Sequence, residues 1–439
     1  MSPLEQGLII LVVTIAILSS GIPVAFGLGA VAVAFIIIFE GASALGVVAE
    51  TFYASLDDFT LVSIPMFIMM GAAIGSSPAG KDLYEALDRW LYRMPGGLAI
   101  SNIGACAIFS ALSGSSPATC AAIGKMGIPE MRKRGYPDEV ATGSICSGGT
   151  LGILIPPSIT FILYGIATET SIGRLFLAGV LPGLLLTGLF ILWTLFAMWR
   201  AGFRSHAVDF RYTWAEKFSS LPRVIPFLVI VAGVVYVLYG GIATPSEAAG
   251  VGAALCVVLA ILIYRMWNPK EWVHILRDTT RESIMILMII AASVLFGYML
   301  SSLYLTQTLA QSIADMDVNR WVLMLFINVF LLMAGFFIPP AAVILMTAPI
   351  LLPIITAAGF DPVWFGVILT INMEIGLITP PVGLNLYVIN GIAPDVPLQT
   401  VLKGALPYTI CMAVAIVILC IFPEIATWLP DTLMGKAIT

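Results

Sequence analysis

The sequence predicts an all-α polytopic membrane protein built as an inverted repeat, with about ten spans and two re-entrant hairpins. Three observations predict it. First, 60% of residues are apolar and only 10% charged, with mean hydropathy +1.04, far from the charged quarter of an ordinary soluble domain. Second, apolar runs near twenty residues recur along almost the whole length, each able to cross roughly 30 Å of hydrocarbon as a helix. Third, stretches 128–158 and 352–382 match at a constant offset of 224: Pro129 with Pro353, Gly135 with Gly359, Gly152 with Gly376, and Pro156-Pro157 with Pro380-Pro381. Helix breakers at corresponding places in two apolar halves point to a transporter's binding site.

The elements follow in order. Full crossings are read at about 4–21, 23–40, 60–77, 139–170, 175–199, 224–242, 245–266, 284–304, 363–392 and 404–423. The first has no basic flank and runs directly into the second, which argues against a cleaved signal. Stretches 98–131 and 320–355 are each too long for one span and are interrupted by Ser-Gly-Ser-Ser-Pro (113–117) and Ile-Pro-Pro (338–340), so both read as re-entrant hairpins. Segment 80–93 has Leu83, Leu87, Trp90 and Leu91 on one helical face and reads as an interfacial arm; 200–223 and 267–282 mix aromatic and basic residues in the same way.

Lysine and arginine test this threading, because cytoplasmic loops carry an excess of them. Sixteen of the twenty fall on one face: Lys81, Arg89, Arg93, Arg132, Lys133, Arg134, Arg200, Arg204, Arg211, Lys217, Arg223, Arg265, Lys270, Arg277, Arg281 and Lys403. Arg174, Arg320 and Lys436 fall on the other, with the acidic loop 41–59, so both termini are predicted outside the cytoplasm. Five crossings and one hairpin per half then make the second copy run opposite to the first.

The chemistry concentrates at the breaks. In FSALSGSSPATCAAIG (109–124) small hydroxyl residues precede Pro117, expected as the first residue of a helix capped by Ser115 or Ser116. Carbonyls and hydroxyls there suit a small hard cation, and helix N–H groups suit a carboxylate; Ser113, Gly114, Ser115, Ser116 and Thr119 are candidates for both tasks. In GGTLGILIPPS (148–158) and EIGLITPPVGLN (374–385) each first Pro frees the carbonyl four residues earlier, at Gly152 and Gly376, with oxygens of Thr150, Ser158, Thr160, Thr379 and Asn385 nearby. The second hairpin tip, AGFFIPPAAVILMTAP (334–349), can offer only backbone. Glu374 is an intramembrane acid and so a functional candidate, Glu247 after Pro245 reads as a helix-start acid, and Lys125 reads as snorkelling.

Other classes fit poorly. The six cysteines are scattered through apolar segments without CxxC and read as small packing side chains. No GxxxxGK[ST] loop appears, so an ion gradient is the energy source expected. An intramembrane hydrolase would need His206 or His274 as base, and both fall in predicted cytoplasmic loops; a passive channel explains the paired breaks less well than a carrier. Membrane lipid is an expected partner and nucleic acid is not.

IPMFIMMGAAI (64–74), ALSGSSPATCAAIGKMGIPEM (111–131), GYPDEVATG (135–143), GGTLGILIPPS (148–158) and GLITPPVG (376–383) together resemble the large membrane subunit of tripartite ATP-independent periplasmic (TRAP) transporters, over essentially the full chain. The resemblance implies no enzyme and no cofactor, but a sodium-driven importer of organic acids in the bacterial inner membrane. Its transport domain would slide as an elevator against a scaffold, with a small four-helix membrane subunit and a soluble periplasmic binding protein as separate partners. It implies transport-domain segments at 98–170 and 320–392, scaffold at 1–95 and 175–319, and a last span and tail at 393–439. One sodium site would join Ser113, Gly114, Ser115 and Ser116 to Gly149, Thr150 and Gly152; the other would join Ile338, Pro339 and Pro340 to Gly376, Thr379 and Pro381. Substrate would lie between the tips, near Ser116, Thr119, Pro157, Ser158, Pro340 and Asn385. Pro339-Pro340 stands where some members carry a polar or acidic residue. A stand-alone divalent-anion/sodium symporter shares the plan.

Overall fold

The computed structural model describes residues 3–92, 94, 96–200, 212–239, 242–315 and 318–435; Arg93, Arg204, His206, Arg211, Asp317 and Lys436 lie outside the described residues. These are all-helical, with no strand among them. The helices are α1 Pro3–Ser19, α2 Val24–Glu40, α3 Leu45–Leu56, α4 Ser63–Gly75, α5 Ala79–Leu91, α6 Gly97–Ser113, α7 Ser116–Lys133, α8 Asp138–Thr150, α9 Ile159–Thr168 and α10 Ile172–Arg200. Then come α11 Trp214–Tyr239, α12 Pro245–Leu262, α13 Pro269–Ser302, α14 Leu305–Asp315, α15 Arg320–Phe337, α16 Pro340–Ala357, α17 Pro362–Leu377, α18 Leu384–Ile392, α19 Leu398–Ile421 and α20 Glu424–Met434.

The duplication extends well past the matched motifs. At offset 224, α7 lands on α16 end for end, the start of α8 lands on the start of α17, and α5 overlies α14. Gly135 and Gly359, which turn the chain between α7 and α8 and between α16 and α17, both take the left-handed conformation, at φ 77° and 76°. The peptide bonds Pro156-Pro157 and Pro380-Pro381 are both cis.

Two elements differ from the sequence reading. Loop 41–59 contains helix α3, joined at 57° to the run that includes α4; the bend falls at Asp57-Asp58, where the Asp58 carboxylate accepts from Thr60 N at 2.8 Å. Segment 267–282 is not a separate interfacial piece but the first half of α13, a continuous 34-residue helix capped by Asn268. Charged and aromatic residues there occupy an exposed helix surface without interrupting it, because Pro269 sits in the first turn, where its missing N–H costs nothing.

Packing brings the halves together in the middle. Helices α8 and α19 touch through Gly143 and Gly404: a Cβ on either would lie 2.3 Å or 2.0 Å from the other helix's backbone. Close approach through small residues is how helices associate where lipid removes the hydrophobic drive. On the expected cytoplasmic side, Asp88 of α5 is buried and receives both terminal nitrogens of Arg134, at 3.1 and 2.8 Å. The Tyr212 hydroxyl donates to the same carboxylate at 3.3 Å, fastening the arm to the end of the first hairpin. Glu247 completes a capping box with Thr244, so its role is to start α12. Cysteines 106, 120, 146 and 256 are buried thiols, and all six are free.

Candidate functional site

Helices α6 and α7 pack along each other and are linked only by Gly114 and Ser115. Gly114 adopts φ 56°, which lets the chain reverse after Ser113. Ser115 is the N-cap by backbone conformation but makes no side-chain cap bond, and Pro117 is the second helical residue, not the first. The hydroxyls turn elsewhere. Ser116 Oγ donates to the Gly149 carbonyl at 2.8 Å, and Ser113 Oγ and Thr119 Oγ1 share a hydrogen bond of 2.6 Å.

The first break receives this tip. Helix α8 ends at Thr150, tightens into a 3-10 turn over Leu151–Ile153, and restarts as α9 after Pro156-Pro157. A Cβ on Gly152 would lie 2.6 Å from the Ser115 carbonyl oxygen, and one on Gly114 3.0 Å from that of Pro157, so tip and break touch backbone to backbone. The structure therefore brings together Ser113, Gly114, Ser115 and Ser116 with Gly149, Thr150 and Gly152. Ser158 is used locally: it donates to the Ile153 carbonyl at 2.5 Å and accepts from Phe161 N at 3.4 Å, capping α9. Thr150 Oγ1 donates to the Ser147 carbonyl.

Asn385 comes from the second break but lies in the first site. Its Nδ2 donates to Ser116 Oγ at 3.4 Å and to the Cys146 carbonyl at 3.3 Å. The Ser116 hydroxyl already donates to Gly149 and the Cys146 carbonyl can only accept, so the amide must turn its nitrogen toward both. Its Oδ1 is left buried without a partner, as are the hydroxyls of Ser144 and Ser147 on α8. The bare Asn385 oxygen, beside the Ser116 hydroxyl and the Cys146 and Gly149 carbonyls, is the kind of donor a small hard cation takes. Sequence reasoning missed Ser144 and Ser147, although their spacing of three puts them on one face of α8.

The second pair is built differently. Its contact lies at the end of α15, one turn before the predicted tip: a Cβ on Gly376 would lie 2.4 Å from the Gly335 carbonyl, and Val382 N donates to Phe336 O at 3.3 Å. Ile338 and Pro339 form the link itself, with Pro339 exposed, and Pro340 is the first residue of α16. Pro380 and Pro381 are exposed too, whereas Pro156 and Pro157 are buried. The Gly376 carbonyl accepts a long bond, 3.5 Å, from Thr379 N, and Thr379 Oγ1 donates to the Ile375 carbonyl. Beside this pair, Asn372 Nδ2 bonds Asn328 Oδ1 at 2.6 Å, tying α17 to α15.

Comparison with known proteins identifies the architecture. Residues 11–425 match the family model described as the DctM component of the tripartite ATP-independent periplasmic transporter. The C4-dicarboxylate TRAP transporter large permease protein DctM of Pseudomonas aeruginosa is 37% identical over 398 residues, 91% of this chain and 92% of that protein. The sialic acid TRAP transporter large permease protein SiaM of Vibrio cholerae is 31% identical over 96% and 97%. Among solved structures, the YdaH transporter of Alcanivorax borkumensis shares the fold, with TM-score 0.63 and 17% identity over 91% of each chain.

Proposed function

Because the chain belongs to the tripartite ATP-independent periplasmic transporter family as its DctM component, a multi-pass inner-membrane permease subunit and not an enzyme, we propose that it imports an organic acid as its carboxylate, driven by an inward sodium gradient. A periplasmic binding protein delivers the substrate, and a small membrane subunit completes the permease. The substrate class is supported by the named cargo of the relatives, C4-dicarboxylate and sialic acid, both carboxylates. Sodium coupling is supported above all by the union of Ser116, Gly149 and Asn385, which sets hydroxyl, carbonyl and unpartnered amide oxygens against one unwound turn. The second ion would use the break at Gly376, Thr379 and Pro381. In this reading α6–α9 and α15–α18 travel as an elevator against α1–α4 and α11–α13, with the termini periplasmic.

The test is uptake of labelled organic acids into proteoliposomes holding this chain and its small subunit, with and without the binding protein, under an inward sodium gradient. Uptake that needs both sodium and the binding protein is the expected result. Sodium-driven uptake without the binding protein would overturn the tripartite delivery, and leakage without sodium would overturn the coupling.

A further inference from the structure

Glu374 is the strongest electrostatic anomaly among the described residues. It has no exposed surface, and neither carboxylate oxygen has a hydrogen-bond partner. On the helices that pack against α17, basic residues occur only toward the ends: Arg174 and Arg200 on α10, Arg320 on α15 and Lys403 on α19. An uncompensated buried carboxylate costs several kcal/mol after relaxation, so a fold that keeps one either holds it as the neutral acid or supplies a counter-charge.

Its direction says with what. Residues two apart on an α-helix point about 200° apart, and Gly376 abuts Gly335 of α15. Glu374 therefore faces away from α15, the arm of the second hairpin that Gly376 meets; α10, the end of α8 and the 151–153 turn are among the other elements packed on α17. At offset 224 its counterpart is Thr150, two residues before Gly152, which abuts Ser115 of the first hairpin. Both positions lie two residues before the glycine that meets their own hairpin.

We propose that Glu374 holds a small monovalent cation on the side of α17 turned away from α15, separate from the two hairpin–break contacts. One carboxylate balances one positive charge, and its two unpartnered oxygens are hard donors of the kind such an ion takes. The proposal takes from the sodium-coupled reading only the choice of ion tried first.

Thermal unfolding of the full chain with its small subunit, titrated with sodium, potassium or lithium chloride against choline chloride, tests it. Wild type should melt higher as one of these cations is added. Glu374→Gln should melt higher than wild type in choline, because a bare charge is gone, and should lose one binding event, its Hill coefficient falling by about one. An unchanged cation titration in Glu374→Gln overturns the proposal, as does a lower melting point in choline with the response intact. Should that variant not accumulate, Glu374→Asp is read instead: altered cation preference supports the site, and wild-type preference with wild-type half-saturation removes it. A wild type indifferent to every monovalent cation sinks both this site and sodium coupling; a response to potassium or lithium but not sodium, lost in Glu374→Gln, keeps Glu374 and sinks sodium coupling alone.

Discussion

The two hairpins share a skeleton and differ in nearly everything attached to it. In the first, α6 is buried over all but three of its seventeen residues, and its tip reaches its break through the Ser116 hydroxyl. In the second, α15 buries only Met324, Ile327 and Leu331, and its contact is backbone on backbone at Gly335 and Phe336. Position for position, Ser113-Gly114-Ser115-Ser116 stands against Phe337-Ile338-Pro339-Pro340. Duplication preserved the breaks, which set the backbone path, while the polar side chains collected on the first hairpin and on the two broken helices. The second half still contributes chemistry, through Asn385, which reaches into the first half, and through the buried Glu374.

The largest effect should be symmetric. Gly152→Val and Gly376→Val each force side-chain atoms into an opposing carbonyl, at Ser115 and Gly335, where neither backbone can give way. Overpacking of this kind costs about 3 kcal/mol or more, so both variants should fail to accumulate as monodisperse protein in detergent. If Gly376→Val behaves like wild type, the second contact is not a packed one and the shared skeleton is wrong.

A smaller and asymmetric effect concerns the arm. Asp88–Arg134 has no counterpart in the second repeat, where the same positions are Ser312 and Ala358. The Asp88 side chain is 5% exposed and that of Arg134 23%. Breaking such a pair by Arg134→Met should cost about 3 kcal/mol, the low end for a buried pair because Arg134 keeps some solvent. The melting temperature of Arg134→Met reports it, and Asp88→Asn with Arg134→Met should recover part of the loss. Additive losses would mean that the pair does not hold the arm.

Ser116→Ala comes next. Removing one buried hydroxyl that joins tip and break costs on the order of 1 kcal/mol in stability, and it should weaken the apparent sodium affinity of uptake. At the surface, the Arg132–Asp395 link joins the end of α7 to the loop after α18 at 2.6 Å. The Arg132 hydrogen bond holds the Asp395 carboxyl below its usual range. A depressed native value means that its contribution is present above the ordinary aspartate range and is lost as pH falls through the lowered value. Asp395→Asn should therefore melt like wild type at low pH and differ only slightly at neutral pH; a difference that grows on acidification would contradict the link.

Much of this was legible in the sequence because the signals are local. Apolar run length gives the long helices, Pro and Gly give the breaks, and the offset of 224 gives the repeat. What escaped depends on distance or competition. Helix α3 hides in an acidic loop because it is too short and mixed to register as a span, and α13 absorbs a charged segment because helical geometry tolerates any exposed face. Asn385 reads as part of its own break, and only packing carries it to Ser116, 269 residues away. The shift of the second contact from Ile338–Pro340 to Gly335 likewise follows from where two backbones can approach, which Pro-Pro spacing does not encode.

The most direct test is the sodium dependence of uptake in Ser116→Ala and Pro340→Ala, substitutions at the same position of the two repeats, measured side by side in proteoliposomes with the binding protein. A raised half-saturating sodium concentration in Ser116→Ala, with Pro340→Ala close to wild type, is the result the account predicts. An equal shift in both, or a shift in Pro340→Ala alone, would contradict the claim that the first hairpin carries the polar ion chemistry while the second supplies shape.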